Sequence, residues 1–159
     1  MNKQTFITTL LAERAQWDAL LAEIGEARMM QPAVGEWTVK DIIAHTAWYE
    51  REMVEVLRAR ALVGSDLWGA PLEERNAAIF EENRHRPLAE VLAEARQVFA
   101  QLLEELQSLS DEDLSDPRRF REMPAEWMPW QVIASNCFEH YPQHIPELRA
   151  WLDAQTKTA

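Results

Sequence analysis

The sequence predicts an all-α protein: a bundle of four long helices with a shorter helix between the second and the third. Three observations lead there. The 159-residue chain holds only four glycines, and its wealth of Ala, Leu and Glu favours helix. Apolar residues recur at spacings of three and four through most of its length. No stretch alternates apolar and polar residues as a half-buried strand would, and no internal repeat or low-complexity segment stands out.

The first helix is read over residues 4–24, where Phe6, Ile7, Leu10, Leu11, Trp17, Leu20, Leu21 and Ile24 recur at helical spacing and Glu13, Arg14 and Asp18 occupy the other face. Gly25 stops it. Residues 25–37 connect, broken by Pro32 and Gly35. Thr38 and Asp41 then form a capping box for a second helix over about 39–62. The inward stripe of that helix reads Ile42, His45, Trp48/Tyr49, Glu52/Met53, Val56. Residues 64–71 form a loop, and Pro71 suits the first turn of a short helix over about 71–84 carrying Leu72, Asn76, Ile79 and Phe80. Pro87 breaks that run and starts a helix to about residue 106, with Leu88, Val91, Leu92, Ala95, Phe99, Leu102, Leu103 and Leu106 inward. Residues 108–128 are irregular, with one short turn at 111–114 and prolines at 117 and 124. The final helix begins near Pro129 and runs to about residue 154, with a kink or an interruption because Pro142 and Pro146 lie inside it.

Bulk properties narrow the function. At 47% hydrophobic and 27% charged, the chain is globular and fits one domain over 1–159. Its formal charge of −11 argues against nucleic acid held in a basic groove. A single cysteine, Cys137, excludes an internal disulfide and Cys₄ or Cys₂His₂ zinc sites, and fits a reducing cytoplasm. The N-terminus lacks the apolar run of a signal peptide, and no stretch approaches eighteen apolar residues, so neither export by the general route nor a membrane span is expected.

The chemistry concentrates in three of the four histidines. His140 and His144 are one helical turn apart, and His45 sits on a different long helix. Three neutral imidazoles from two helices can hold a transition metal and leave positions open, a site that polarises an oxygen or acidifies water. A pair at this spacing also fits two core histidines bonded to carbonyls. Pro142 stands between them, and a break there that turns His144 outward removes it from the set. Tyr49, one turn beyond His45, is a candidate hydrogen-bond or proton donor, or an interface aromatic. Glu52 is a candidate base or an acceptor that orients a histidine, or a solvated helix residue. Asn136, one turn before His140, belongs to the same face. Cys137 reads as a buried small residue rather than a ligand or nucleophile. His85, between two arginines, reads as surface. Trp37, Trp48, Trp127, Trp130 and Trp151 read mostly as core, with Trp48 and Trp130 the best placed to line a pocket.

At these residues the chain resembles a known group. Gly35-Glu36-Trp37-Thr38-Val39-Lys40-Asp41-Ile42-Ile43-Ala44-His45 with Thr46-Ala47-Trp48-Tyr49-Glu50 is similar to the second-helix signature of the DinB-like superfamily. Within it, Asn76-Ala77-Ala78-Ile79-Phe80-Glu81-Glu82-Asn83-Arg84 and Asn136-Cys137-Phe138-Glu139-His140-Tyr141-Pro142-Gln143-His144 resemble the ClbS/DfsB branch. The resemblance extends from the first helix to Trp151. It implies an up-down-down-up four-helix bundle, often dimeric. It also implies a divalent metal, zinc or nickel, at His45, His140 and His144. Some relatives are thiol-dependent S-transferases or isomerases, and the colibactin-resistance member of the nearer branch hydrolyses a reactive cyclopropane without the three-histidine pattern. This chain keeps all three histidines. The expectation is a stress or detoxification enzyme that hydrolyses a small electrophile, with Tyr49, Glu52 and Asn136 in support. The alternatives are thiol transfer to the electrophile and a non-catalytic binding bundle.

Overall fold

The computed structural model describes residues 1–157; the last two residues of the predicted 1–159 domain lie outside the described residues. Seven α-helices are present among the described residues. Four are long: α1 (Lys3–Ile24), α2 (Val39–Ala59), α4 (Leu88–Ser108) and α7 (Tyr141–Lys157). α3 (Leu72–Asn83) links α2 to α4, and the short α5 (Asp111–Ser115) and α6 (Pro129–Ser135) precede α7. The local signals act as expected at several ends. Gly25, at φ 74°, ends α1 and donates its N–H to Leu21 O. Thr38 and Asp41 close a reciprocal capping box at the start of α2.

The direction of each long helix follows from which half of the core it feeds. One half holds Phe6 and Leu10 of α1, Met53 and Leu57 of α2, Val98 and Leu102 of α4, and Ile133 of α6. The other holds Trp17 and Ile24, Val39 and Ile43, Val91 and Leu92, and Tyr141 and Leu148. α1 and the α6–α7 segment therefore run from the first half to the second, while α2 and α4 run the opposite way. That order is up-down-down-up, with α3 as the return between the two parallel neighbours. α2 is the central element: residues 39–50 are all buried, so its polar side chains must find partners on every side. Lys40 does so by donating Nζ to the carbonyls of Asn83, Arg84 and Arg86 at 2.9, 2.7 and 3.3 Å, which ties the end of α3 to the start of α2.

Four expectations are corrected. A two-stranded antiparallel hairpin, β1 (Pro32–Val34) and β2 (Trp37–Thr38), lies where only a connection was expected. Strands this short carry no periodicity to read. α2 stops at Ala59 rather than near residue 62, because Arg60 turns left-handed at φ 48°. Trp127 is 43% exposed rather than core. Trp48 is buried under Trp68, at 5.6 Å between ring centroids, and does not line the cleft that Trp130 lines. The break expected in the last helix is present, but it spans residues 136–140 and ends before Pro142. Pro142 falls in the first turn of α7, where a missing N–H leaves no intrahelical bond unmade.

Candidate metal centre

The break before α7 is what assembles the site. It delivers His140 as the residue before the helix and His144 one turn later, while His45 projects from the middle of α2. His45 and His140 are buried and His144 is half-buried. His140 Nε2 lies 3.0 Å from His45 Nε2 and 3.1 Å from His144 Nε2. The three rings offer ligand nitrogens that all fall within 4.8 Å of one another. All three predicted ligands therefore meet, and Pro142 does not turn His144 away.

The proton count tests whether a metal suits the site. A ring nitrogen offers one N–H or one lone pair, never both. His140 Nε2 faces two other ring nitrogens at once, so hydrogen bonding among neutral rings cannot satisfy both approaches. Nδ1 of His45 and Nδ1 of His140 have no hydrogen-bond partner in the protein. Burial, then the neighbouring imidazoles, pushes His45 down to about 3, and burial followed by His144 pushes His140 down to about 3. His144 is lowered as well, chiefly by burial. At neutral pH the rings are thus uncharged bases whose ligand nitrogens gather within 4.8 Å of one another. Neighbouring ligand nitrogens of a tetrahedral zinc site stand roughly 3.3 Å apart, close to the two spacings observed. The residues present fit a divalent transition metal.

Aromatic rings enclose the cluster. Trp37, from β2, meets His45 edge-on at 5.4 Å and stacks on Phe80 of α3 at 5.2 Å. Tyr49 packs edge-on against His45 at 5.0 Å and His140 at 4.9 Å. Its hydroxyl donates to Asn76 Oδ1 at 3.1 Å. The sequence identified Tyr49 but not the part Trp37 plays, whose visible signal was its place just before the Thr38 cap.

The other two predicted support residues point elsewhere. Glu52 is buried, and its Oε2 accepts the Ser65 N–H at 2.8 Å, which anchors the loop after α2. Asn136 donates Nδ2 to Val132 O at 2.7 Å and lines a separate cleft of about 860 Å³. None of the three histidines lines that cleft. Trp68 does, and it touches Tyr49 at 5.8 Å, so Tyr49 and Trp68 form the contact chain between cleft and histidines. Cys137 is fully buried, and burial, then Glu50, raises its thiol well above the ordinary range, so it is no nucleophile. His85 is exposed, as expected.

A mostly helical bundle with a triad of imidazoles drawn from its second and last long helices defines a class. The chain belongs to the DinB superfamily, whose family model matches residues 9–148. Solved structures agree on the fold. An uncharacterised protein from Escherichia coli UTI89 superposes with a TM-score of 0.77 at 14% identity, covering 98% of this chain and 95% of its own. A Streptococcus pneumoniae protein gives 0.78 at 18%, covering 95% and 90%. The sibling lethal factor precursor DfsB gives 0.77 at 19%, covering 98% and 97%. No curated protein matches the chain by sequence.

Proposed function

We propose that this chain is a ClbS/DfsB-type enzyme in which His45, His140 and His144 hold a divalent metal, zinc or nickel, for hydrolysis of a small electrophile in stress or detoxification. The observation that carries the reading is the approach of two imidazole nitrogens to His140 Nε2, at 3.0 and 3.1 Å, with no proton arrangement that satisfies both. Imidazole ligands suit either metal. When bound, the metal would supply Lewis acidity.

The chain's own residues do the rest. Trp37 and Tyr49 hold the His45 ring between them and keep water from its flanks. The Tyr49 hydroxyl, which rests on Asn76 Oδ1, hydrogen-bonds a substrate oxygen or gives it a proton by exchanging that acceptor for the substrate. Glu52 supports from a distance by pinning the loop at Ser65, and Asn136 by holding the end of α6 beside the break. A cytoplasmic setting, a small-molecule substrate rather than nucleic acid, and a homodimer complete the proposal; no described helix is long and apolar enough to cross a membrane.

Elemental analysis of untagged protein tests the first half. Stoichiometric zinc or nickel is expected, and none after incubation with either metal would overturn the metal centre. Epoxide and cyclopropane probes, assayed with and without low-molecular-weight thiols, test the second. Thiol-independent turnover that vanishes in Tyr49→Phe supports hydrolysis as written. Turnover only with a thiol makes the enzyme a transferase, and none under any condition leaves a binding bundle.

A further inference from the structure

The cleft beside the histidines has a chemistry of its own. It is walled by Trp68, Trp127, Met128 and Trp130, with the carboxylates of Glu126 and Glu139 at its edge. No Lys, Arg or His is among its lining residues. Trp127 and Met128 are each 43% exposed, so the cleft presents large apolar surface to solvent. Glu126 and Glu139 are exposed and make no ion pair among the described residues.

One wall is built in advance. A Cβ on Gly64 would fall 1.6 Å from the Trp68 ring, so only glycine lets that indole lie against the loop. Arg75 covers the Trp68 ring at 4.6 Å. Its guanidinium also donates to the carbonyls of Leu67, Trp68 and Ala70, at 3.0, 2.8 and 3.2 Å. That guanidinium is therefore committed to holding the wall and is not among the lining residues. Three indoles, two free carboxylates and a volume of about 860 Å³ lie in the size range of small-molecule sites. Indole faces attract cations, and unpaired carboxylates add to that attraction.

We propose that this cleft is a binding site for organic cations with a broad apolar body, distinct from the metal centre and independent of the metal reading. The apolar part lies among Trp68, Trp127 and Trp130, and the positive charge is met by Glu126 and Glu139. A formal charge of −11 draws any cation to the surface, so the test must separate the cleft from the whole-molecule field.

Tetraphenylphosphonium and tetraphenylborate share shape and apolar area and differ in the sign of their charge. Calorimetric titration of the full chain is expected to show the phosphonium binding at least about tenfold more tightly than the borate. The double variant Glu126→Gln/Glu139→Gln is expected to remove most of that preference. Trp127→Ala is expected to weaken the phosphonium about fivefold or more. Glu73→Gln/Glu74→Gln, exposed on α3, lowers the overall charge equally and is expected to leave the preference intact. His45→Ala is expected to bind the phosphonium as the parent does. No binding of either ion, a borate preference, or a phosphonium affinity unmoved by the Glu126/Glu139 and Trp127 variants overturns the proposal. Loss in His45→Ala places the ion at the histidines and overturns it too, while the metal reading stands or falls by elemental analysis of the parent protein.

Discussion

Two polar clusters are buried on faces of α2 roughly 140° apart, and they are built on opposite principles. On one face Glu50, 2% exposed, accepts the Tyr141 hydroxyl and lies 3.7 Å from Arg14. Arg14 in turn donates to Tyr141 at 3.2 Å, pairs with Asp18 at 2.9 Å and lies over the Phe99 ring at 4.2 Å. Every group there has a partner. On the other face His45, His140 and His144 converge with more nitrogens than hydrogen bonds, and two Nδ1 atoms are orphaned. Burial of polar groups is costly unless they are satisfied. The Glu50 cluster is therefore explained by folding. The histidine cluster is not explained by hydrogen bonding within the fold.

Removing one member of each cluster separates the two principles most sharply. Glu50→Ala strips Tyr141 of its acceptor and Arg14 of its buried counter-charge and is expected to destabilise the fold by about 3–5 kcal/mol, the usual cost of breaking a buried pair. Metal affinity of the folded variant should stay near that of the parent. Guanidinium denaturation and a chelator competition measure the two quantities. A loss below about 1 kcal/mol would mean that the cluster contributes little to folding. His45→Ala should do the reverse. Metal affinity is expected to fall on the order of 100-fold or more, since even residues that merely orient a ligand are worth 10–100-fold. Stability of the metal-free protein should fall by no more than about 2 kcal/mol. An unchanged metal affinity would sever the triad from the site.

The same contrast explains what could be read from the sequence. The histidines were legible because their spacing is local: His140 and His144 share a turn, and His45 lies on a strongly periodic helix. The capping box at Thr38 and the stop at Gly25 are likewise local chemistry. The Glu50 cluster was not legible, because Arg14 and Tyr141 are 127 residues apart and nothing in either neighbourhood marks them as partners. The hairpin at Pro32–Val34 and Trp37–Thr38 was too short to show a period. Trp127 misled because an indole's apolar area predicts burial, whereas exposure depends on the irregular chain before α6. Pro142 was read as lying inside the last helix and breaking it, whereas it sits in the first turn of α7, after a break at 136–140 that composition does not announce.

The clusters should also oppose each other in acid. His45 and His140 ionise near 3 in the fold against an ordinary 6.5. Between those values the unfolded chain binds more protons than the native one, so their contribution to stability is present above 6.5 and is lost as pH falls. Glu50, raised by burial from 4.5 to about 7, holds its proton in the fold where the unfolded chain has released it. Its contribution is present below 4.5 and is lost as pH rises through 7. Two histidines act against one carboxyl across the shared window, so metal-free protein should lose stability from pH 6.5 to 4.5. Each group accounts for up to about 1.4 kcal/mol per pH unit. His45→Asn should flatten the slope and Glu50→Gln should steepen it, as denaturation series at three pH values would show. A parent whose stability rises toward pH 4.5 would reverse the assignment of the dominant cluster.

The smallest effect is expected where the two principles meet, at Tyr49. Its ring belongs to the histidine cluster, but its hydroxyl is satisfied by Asn76 at 3.1 Å in the manner of the Glu50 side. Tyr49→Phe keeps both edge-on contacts to His45 and His140 and removes one neutral hydrogen bond, so a loss of about 1 kcal/mol is expected. Metal affinity should not change, because no ligand nitrogen loses a partner. A metal affinity that falls with the hydroxyl would show that Asn76 and Tyr49 orient the imidazoles through the ring, and would move Tyr49 from the substrate's side of the site to the metal's.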